Sequence, residues 1–156
     1  MRWLNAGVLE ALLNHPQQLA QVQANPALIP NVVEEVLRYD GPVQTMPRLA
    51  PQEAELSGTV LPAGSVMLLL FGSANHDERK FPDPERFDMT RNTDGHVGVG
   101  FGIHFCLGAQ LARLEAKVAL EALLGLFPHL SRTDEQVTRV ESLIVRGPKT
   151  LPLVVQ

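Results

Sequence analysis

Residues 98–113 read GVGFGIHFCLGAQLAR, a glycine-rich run that surrounds Cys106, the single cysteine of the chain. Glycines at alternate positions before this cysteine permit backbone angles and close approaches that a Cβ atom would block. The residues after it favour a helix, so the thiol is predicted to lie at a helix N-terminus, where the helix dipole and backbone N–H groups favour the metal-binding thiolate. The segment is therefore as expected for a loop that lies against something large and flat, with a thiol at Cys106 that is disposed to bind a metal.

Two other interpretations of this cysteine stay open at the level of the residues. A lone cysteine without sequence context is more often a buried structural residue than a reactive one. Alternation along an extended segment would also place His104 and Cys106 on one side, as in a Cys–His nucleophile. That chemistry requires an orienting third residue and an oxyanion hole, and no pattern in the sequence predicts either of them.

The composition limits the classes of function. The chain has 156 residues, 45% of them hydrophobic, which suits one globular domain. A net charge of −4 provides no basic excess for a phosphate backbone, so nucleic acid is not an expected partner. No apolar run approaches the roughly 18 residues of a membrane span, and the N-terminus lacks the pattern of a secretory signal. A single cysteine forms no internal disulfide, and we expect a soluble protein of the reducing cytoplasm without a membrane partner.

Hydrophobic periodicity and the Gly and Pro positions predict one α+β domain over residues 1–156, mainly helical, with short strands in its middle. Val33, Val36 and Leu37 are expected to be buried on one helix. One face of the last helix is marked by Leu107, Leu111, Leu114 and Val118. The predicted helices are 4–14, 16–24, 30–39 and about 107–127; strands are predicted within 43–50, 54–58, 59–64 and 65–72, an irregular segment over 75–105, and two strand-like runs within 137–156.

Residues 99–108 resemble the haem-binding signature of the cytochrome P450 family, Phe-Gly-x-Gly-x-His-x-Cys-x-Gly. Val99 stands at the Phe position, which implies looser packing beneath the haem. The resemblance covers nearly the whole chain, in the style of soluble bacterial members, and implies the carboxy-terminal part of that fold. The implied parts are the end of the central helix, the Glu-x-x-Arg helix, a small β-sheet, the cysteine-ligand loop with its following helix, and a terminal β-hairpin. The matching positions are Gly100, Gly102, His104, Cys106 and Gly108.

The same resemblance implies the residues of the site. Cys106 would be the catalytic residue and the axial thiolate ligand of the iron of haem b, iron protoporphyrin IX. His104 and Arg48 would bind haem propionates, and Phe101 would pack near the thiolate. The glycines of the signature, Gly100, Gly102 and Gly108, would belong to the cofactor-binding loop.

Two further segments resemble the scaffold of the family. EEVLRYDGPV, residues 34–43, resembles the Glu-x-x-Arg helix, and FPDPERFDMTR, residues 81–91, resembles the Pro-Glu-Arg-Phe segment that meets it. The resemblance implies a buried charge network of Glu35, Arg38 and Arg86 that fixes the loop ahead of the cysteine. Removing one partner of a buried charge pair typically costs about 3–5 kcal/mol. The nearby sequence ANHDERKFPDP has His76 and Glu78 where the family has Arg and Pro.

The resemblance implies a monooxygenase that inserts one oxygen atom from O2 into a small organic substrate. Electrons would come from a ferredoxin-type donor and its NAD(P)H reductase. Residues 43–45 lie where related enzymes face substrate. Arg113 and Lys117 could steer an acidic donor, although a solvated helix face is the favoured interpretation.

The match is to the later part of a family member. The oxygen-activating helix segment and the distal half are therefore expected upstream in an amino-terminal part, and the chain alone is expected to be inactive. The alternative is a truncated remnant or interaction module that does not retain haem, because an uncovered haem face would leave a large apolar surface exposed.

Overall fold

The computed structural model describes residues 2–155. The predicted domain also included Met1 and Gln156, which lie outside the described residues. Short 3-10 turns occur at Pro26–Leu28 and Gly102–His104. The helices are α1 (Arg2–Asn14), α2 (Pro16–Ala24), α3 (Ile29–Tyr39), α4 (Phe71–Ala74) and α5 (Ala109–Leu126); the strands are β1 (Thr45–Leu49), β2 (Ala54–Leu56), β3 (Thr59–Leu61), β4 (Val66–Leu70), β5 (Ser131–Arg132) and β6 (Leu153–Val154).

Helices α1, α3 and α5 pack against one another and form the core. Pro30 lies in the first turn of α3, where its missing N–H costs no helical hydrogen bond. The predicted buried face of α3 is confirmed, because Val33, Val36 and Leu37 are at most 2% exposed. This helix lies at the centre of the domain and contacts both of its long neighbours.

Helix α5 buries the face that carries Ala109, Ala116, Leu120 and Leu124, which is not the face marked by Leu111, Leu114 and Val118. Its buried residues include Ala109 and Ala116, whose small side chains let α5 lie close to α1 and α3. The marked face remains on the surface, with each side chain more than half exposed. That face consists of Leu107, just before the helix, and Leu111, Leu114 and Val118 within it.

The predicted small sheet consists of two separate antiparallel ladders in the described part of the chain. β1 pairs with β4, with Arg48 opposite Met67. β2 pairs with β3 across a two-residue turn, in which Ser57 and Gly58 both have positive φ, at 50° and 79°. Such a turn matches the twist of the strands that it connects. Strand β1, which carries Arg48, is therefore paired independently of the β2–β3 hairpin.

The two strand-like runs predicted within residues 137–156 form only a short hairpin-like contact. The N–H of Val140 donates to the carbonyl of Gly147 at 3.0 Å, and the N–H of Lys149 donates to Thr138 at 2.7 Å. The regular pairing in this region joins β5 to β6 instead. The two strand-like runs therefore meet through an isolated bridge rather than an extended ladder.

The segment between α4 and α5 is irregular, as predicted, apart from one 3-10 turn. Arg38 donates to both carboxylate oxygens of Glu35 at 2.8 Å, and neither side chain is exposed. Arg38 also donates to the carbonyls of Asn75 at 2.9 Å and Pro84 at 3.0 Å. The N–H of Asp88 donates to Glu35 at 2.9 Å. This buried pair therefore anchors the irregular segment to α3.

The assignment of Arg86 to this charge network is wrong. The Arg86 side chain is 66% exposed and pairs with Asp88, and only its backbone carbonyl accepts a bond from Arg38. Arg91 takes the third position, since its Nε lies 3.4 Å from Oε1 of Glu35 and its side chain is 8% exposed.

Within residues 2–155, the helices are all too short or too polar to cross a membrane.

Candidate functional site

The predicted site residues meet at a cavity of about 390 Å³ between the cysteine loop, β1 and the core helices. Cys106, His104 and Arg48 all line it, although Arg48 is far from the loop in sequence. The rest of the wall is mostly apolar and includes Leu37, Val43, Met46, Phe71, Val99 and Ala112. The loop glycines Gly100 and Gly108 also line this cavity.

Backbone hydrogen bonds fold the loop so that Cys106 comes back toward its beginning. The N–H of Cys106 donates to the carbonyl of Val99 at 2.9 Å, and the N–H of Phe105 donates to Gly102 at 3.0 Å. Gly100 and Gly102 have φ of 79° and 62°, a region that favours glycine. A Cβ at Gly100 would also lie 3.0 Å from the carbonyl oxygen of His104. These two signature glycines are thus required by the backbone of the loop.

Cys106 is exposed, which excludes the interpretation of a buried structural cysteine. It lies just before α5, and its carbonyl accepts a bond from the N–H of Ala109 at 3.1 Å. Within residues 2–155, no hydrogen bond joins His104 to Cys106 or to a carboxylate. A Cys–His nucleophile would need such an orienting contact, so the geometry does not favour it.

Arg48 supplies a positive charge at this cavity. Its Nη1 donates to the neighbouring carbonyl of Pro47 at 2.9 Å. In the described part of the chain, neither Arg48 nor His104 forms a salt bridge with a carboxylate. Two basic groups therefore line an apolar cavity without an acidic partner from the protein, an arrangement that suits a ligand with its own carboxylates.

Phe101 and Gly102 do not line the same cavity. They border a second one of about 630 Å³ on the other side of the loop, together with Glu34, His96 and Arg113. Phe101 is 82% exposed there. The loop thus presents different residues to two cavities.

A charged cluster beside the loop was not predicted from the sequence. Arg113 donates to Glu34, with Nη2 at 2.9 Å from Oε2, and Nε2 of His96 lies 3.0 Å from the same oxygen. Burial raises the pKa of Glu34, but the hydrogen bonds from His96 and Arg113 and the charge of Arg113 outweigh it and lower the pKa from 4.5 to about 2. Arg113 is therefore an ion-pair partner within the domain rather than a free surface charge.

Lys117, which was considered with Arg113, belongs to the solvated side of α5. It lies 3.7 Å from Glu121, one turn further along the helix, and both side chains are more than 40% exposed. Exposed pairs of this kind contribute little to stability.

Of the three residues predicted to face substrate, only Val43 lines the first cavity. The side chain of Gln44 donates to the carbonyl of Gly41 at 2.7 Å, and the hydroxyl of Thr45 donates to Leu143 at 2.8 Å. These two side chains therefore hold the backbone around β1.

The sequence profile of the cytochrome P450 family matches residues 9–155. The chain is 50% identical over 145 residues to 6-deoxyerythronolide B hydroxylase of Saccharopolyspora erythraea. This match covers 91% of this chain and 36% of the hydroxylase. It is 44% identical over 153 residues to cytochrome P450 monooxygenase PikC of Streptomyces venezuelae. This match covers 96% of this chain and 37% of PikC. Its structure matches cytochrome P450 CYP109Q5 from Chondromyces apiculatus with a TM-score of 0.93 and 49% identity, over 98% of this chain and 40% of that one.

The similarity extends through helices, strands and the cysteine loop alike, and the relatives are oxidoreductases of the monooxygenase class. The chain belongs to the cytochrome P450 family and has the fold of its carboxy-terminal portion. It spans 36% and 37% of the lengths of these two curated relatives.

Proposed function

We propose that this chain is the haem-binding part of a cytochrome P450 monooxygenase and binds haem b through the thiolate of Cys106. One observation carries the proposal: Cys106, His104 and Arg48 line a single, largely apolar cavity. A haem combines a flat apolar macrocycle, an iron and two carboxylates. The cavity offers apolar walls, a thiol and two basic side chains, so the residues present fit this group.

Each residue has a distinct part in this proposal. Cys106 would be the iron ligand and the catalytic residue, while Arg48 and His104 would bind the propionates. Phe101, on the other side of the loop, would pack near the thiolate. When bound, haem supplies an iron centre that activates O2 for insertion of one oxygen atom into an organic substrate. The glycines Gly100, Gly102 and Gly108 would keep Cβ atoms away from the cofactor and let the loop turn.

The remaining elements of the proposal follow from the family. The substrate would be a small organic molecule, and electrons would come from NAD(P)H through a reductase and a ferredoxin-type protein. The names of the relatives, a hydroxylase and a monooxygenase, support this type of reaction. A single cysteine that forms no disulfide within the chain suits the cytoplasm.

A second candidate function is a remnant or interaction module that does not retain haem. The observation in its favour is the apolar surface of the loop and α5, where Phe101 is 82%, Ile103 98% and Leu107 103% exposed. Exposed apolar patches of this kind mark interaction sites or aggregation. This candidate predicts a colourless protein whose spectrum and melting do not change when hemin is added.

A hemin titration of the purified chain separates the two candidates. The first predicts binding and, after reduction under carbon monoxide, the strongly red-shifted Soret band of thiolate ligation, which Cys106→Ser should abolish. A histidine-type spectrum that is unchanged by Cys106→Ser, or no binding at all, would overturn the first.

The propionate partners are tested in the same titration. Arg48→Gln and His104→Gln should each weaken hemin binding about tenfold or more, because a hydrogen bond to a charged group contributes about 1.5–3 kcal/mol. Arg79→Gln is the matched control, since the Arg79 side chain is 86% exposed and pairs with Asp77 away from the cavity. Equal affinities for all three variants would contradict the assigned roles.

A further inference from the structure

The cluster of Glu34, His96 and Arg113 joins three separate elements. Glu34 lies on α3, Arg113 on α5, and His96 in the irregular segment just before the cysteine loop. The carboxylate of Glu34 accepts from Nη2 of Arg113 at 2.9 Å and lies 3.0 Å from Nε2 of His96. The His96 side chain is only 7% exposed. The cluster is therefore a partly buried connection rather than a set of surface charges.

The contacts of His96 fix its tautomer. The N–H of Gly98 donates to Nδ1 of His96 at 3.2 Å, so Nδ1 must carry a lone pair. The proton of the neutral ring is then on Nε2, where it is donated to the Glu34 carboxylate. The His96 imidazole thus donates one hydrogen bond to Glu34 on α3 and accepts another from the backbone of the loop.

The backbone at this point is held tightly against α3. A Cβ at Gly98 would lie 2.1 Å from the carbonyl oxygen of Leu37. The N–H of Val97 donates to Oδ1 of Asn75 at 2.8 Å, and Asn75 is 2% exposed. His96 therefore lies where the beginning of the loop packs closely against α3.

A short series of backbone contacts leads from this point to the cysteine. The N–H of Gly100 donates to the carbonyl of Val97 at 2.9 Å, and the N–H of Cys106 donates to the carbonyl of Val99 at 2.9 Å. A shift of residues 97–99 would consequently move the acceptor that holds the N–H of Cys106.

We propose that His96 is a positioning residue for Cys106: with Glu34 and Arg113 it holds the beginning of the loop on α3 and α5, so that Cys106 borders the cavity. The inference deepens the proposed function, because it concerns the orientation of the proposed iron ligand. The geometry of the loop without haem is nevertheless measurable by itself.

Three variants separate the two contacts of His96. His96→Asn keeps an acceptor for the Gly98 N–H, since an Asn side chain readily accepts from the N–H two residues on. His96→Gln extends a donor toward Glu34 and removes that acceptor. His96→Phe keeps a ring and removes both contacts. His129→Gln is the control, because His129 is an exposed histidine distant in sequence from the loop.

The first measurement is amide hydrogen exchange over residues 98–106 in the haem-free protein. His96→Phe, which loses both contacts, and His96→Asn, which loses the contact with Glu34, should each exchange about three to ten times faster than the parent, as expected for the net loss of one hydrogen bond. His96→Gln, which keeps a donor toward Glu34, should exchange more slowly than His96→Phe, and His129→Gln should stay close to the parent. Unfolding by urea, measured in parallel, separates local opening of the loop from global destabilisation.

The second measurement is the carbon monoxide spectrum after hemin addition. His96→Phe and His96→Asn should show a smaller red-shifted fraction than the parent, and His96→Gln should retain more of it than His96→Phe. Unchanged exchange in both His96→Phe and His96→Asn would overturn the inference, as would faster exchange that only follows global stability. If His96→Phe does not fold, the Asn and Gln variants decide by the same criteria. A parent chain that binds no hemin would contradict the proposed function alone, since the exchange result stands without it.

Discussion

The Nε of Arg91 lies 3.4 Å from Oε1 of Glu35 and adds a third charge to the buried Glu35–Arg38 pair. The guanidinium of Arg91 also donates to the carbonyl of Asp83 at 2.9 Å and to that of Arg86 at 3.1 Å. Arg91 therefore closes the irregular segment onto itself and onto α3. In contrast, the side chain of Arg86 reaches only Asp88 at the surface.

This difference predicts unequal effects of two alanine substitutions. Arg91→Ala should lower the free energy of unfolding by about 2–4 kcal/mol, because it removes a nearly buried positive charge beside the fully buried carboxylate of Glu35. Arg86→Ala should change it by less than about 0.5 kcal/mol, as for an exposed pair. Urea denaturation followed by circular dichroism measures both free energies of unfolding. Equal losses for the two variants would show that Arg91 is not the third member of the charge network.

Arg38→Lys should be strongly destabilising although it preserves the charge. A lysine has no planar fork, so it cannot donate to both oxygens of Glu35 and to the carbonyls of Asn75 and Pro84 at the same time. We expect a loss of about 2–4 kcal/mol in the same assay. Lys117→Arg, at an exposed pair with Glu121, is the control and should be nearly neutral. A tolerated lysine at position 38 would contradict a requirement for bidentate geometry.

The ion pair of Glu34 with Arg113 and its hydrogen bond from His96 predict a specific acid sensitivity. Its pKa is lowered from 4.5 to about 2, so the folded state binds a proton less readily than the unfolded chain. The stabilisation is therefore complete above pH 4.5 and is lost as the pH falls from 4.5 toward 2. Because Glu34 is partly exposed to solvent, we expect a contribution of about 1–2 kcal/mol.

The check is the difference in unfolding free energy between the parent and Glu34→Gln, measured by urea denaturation at several pH values. This difference should be constant near neutral pH and should shrink by about 1–2 kcal/mol between about pH 5 and pH 2.5. Glu121→Gln provides the control, with an expected difference near zero at every pH. A difference between the parent and Glu34→Gln that stays the same at every pH would refute the assigned contacts of Glu34 with Arg113 and His96.

Two glycine substitutions should have opposite effects. Gly98→Ala places a Cβ 2.1 Å from the carbonyl oxygen of Leu37, so the loop must move away from α3. We expect a loss of about 1–3 kcal/mol. At Gly125 of α5 a Cβ meets nothing within 4 Å, so Gly125→Ala should stabilise the protein by up to about 1 kcal/mol. Thermal melting distinguishes the two, and a neutral Gly98→Ala would contradict the close approach.

The parts of the fold that the sequence predicts are those set by local patterns. The periodicity of α3 identifies its buried side, because Val33, Val36 and Leu37 recur at helical spacing. The glycine positions around Cys106 are dictated by backbone angles within the loop itself. The short strands, too, follow from the Gly and Pro residues between them.

The missed features depend on how distant elements meet. The spacing of Leu111, Leu114 and Val118 marks one face of α5 but does not show which face lies against the core. The buried face carries Ala109, Ala116, Leu120 and Leu124. In the irregular segment, no periodicity shows whether Arg86 or Arg91 turns inward. No sequence pattern identified His96, because its side-chain partner Glu34 lies on α3, far from it in sequence.

The independence of the β2–β3 hairpin makes it a natural attachment point. Within residues 2–155 it shares no strand with the ladder that carries Arg48, and its turn at Ser57 and Gly58 is exposed. Lengthening such a loop costs only about 0.6 kcal/mol per doubling of its length. An affinity tag, a fluorescent label or a whole fused protein grafted between these two residues should leave the cavity wall where it is.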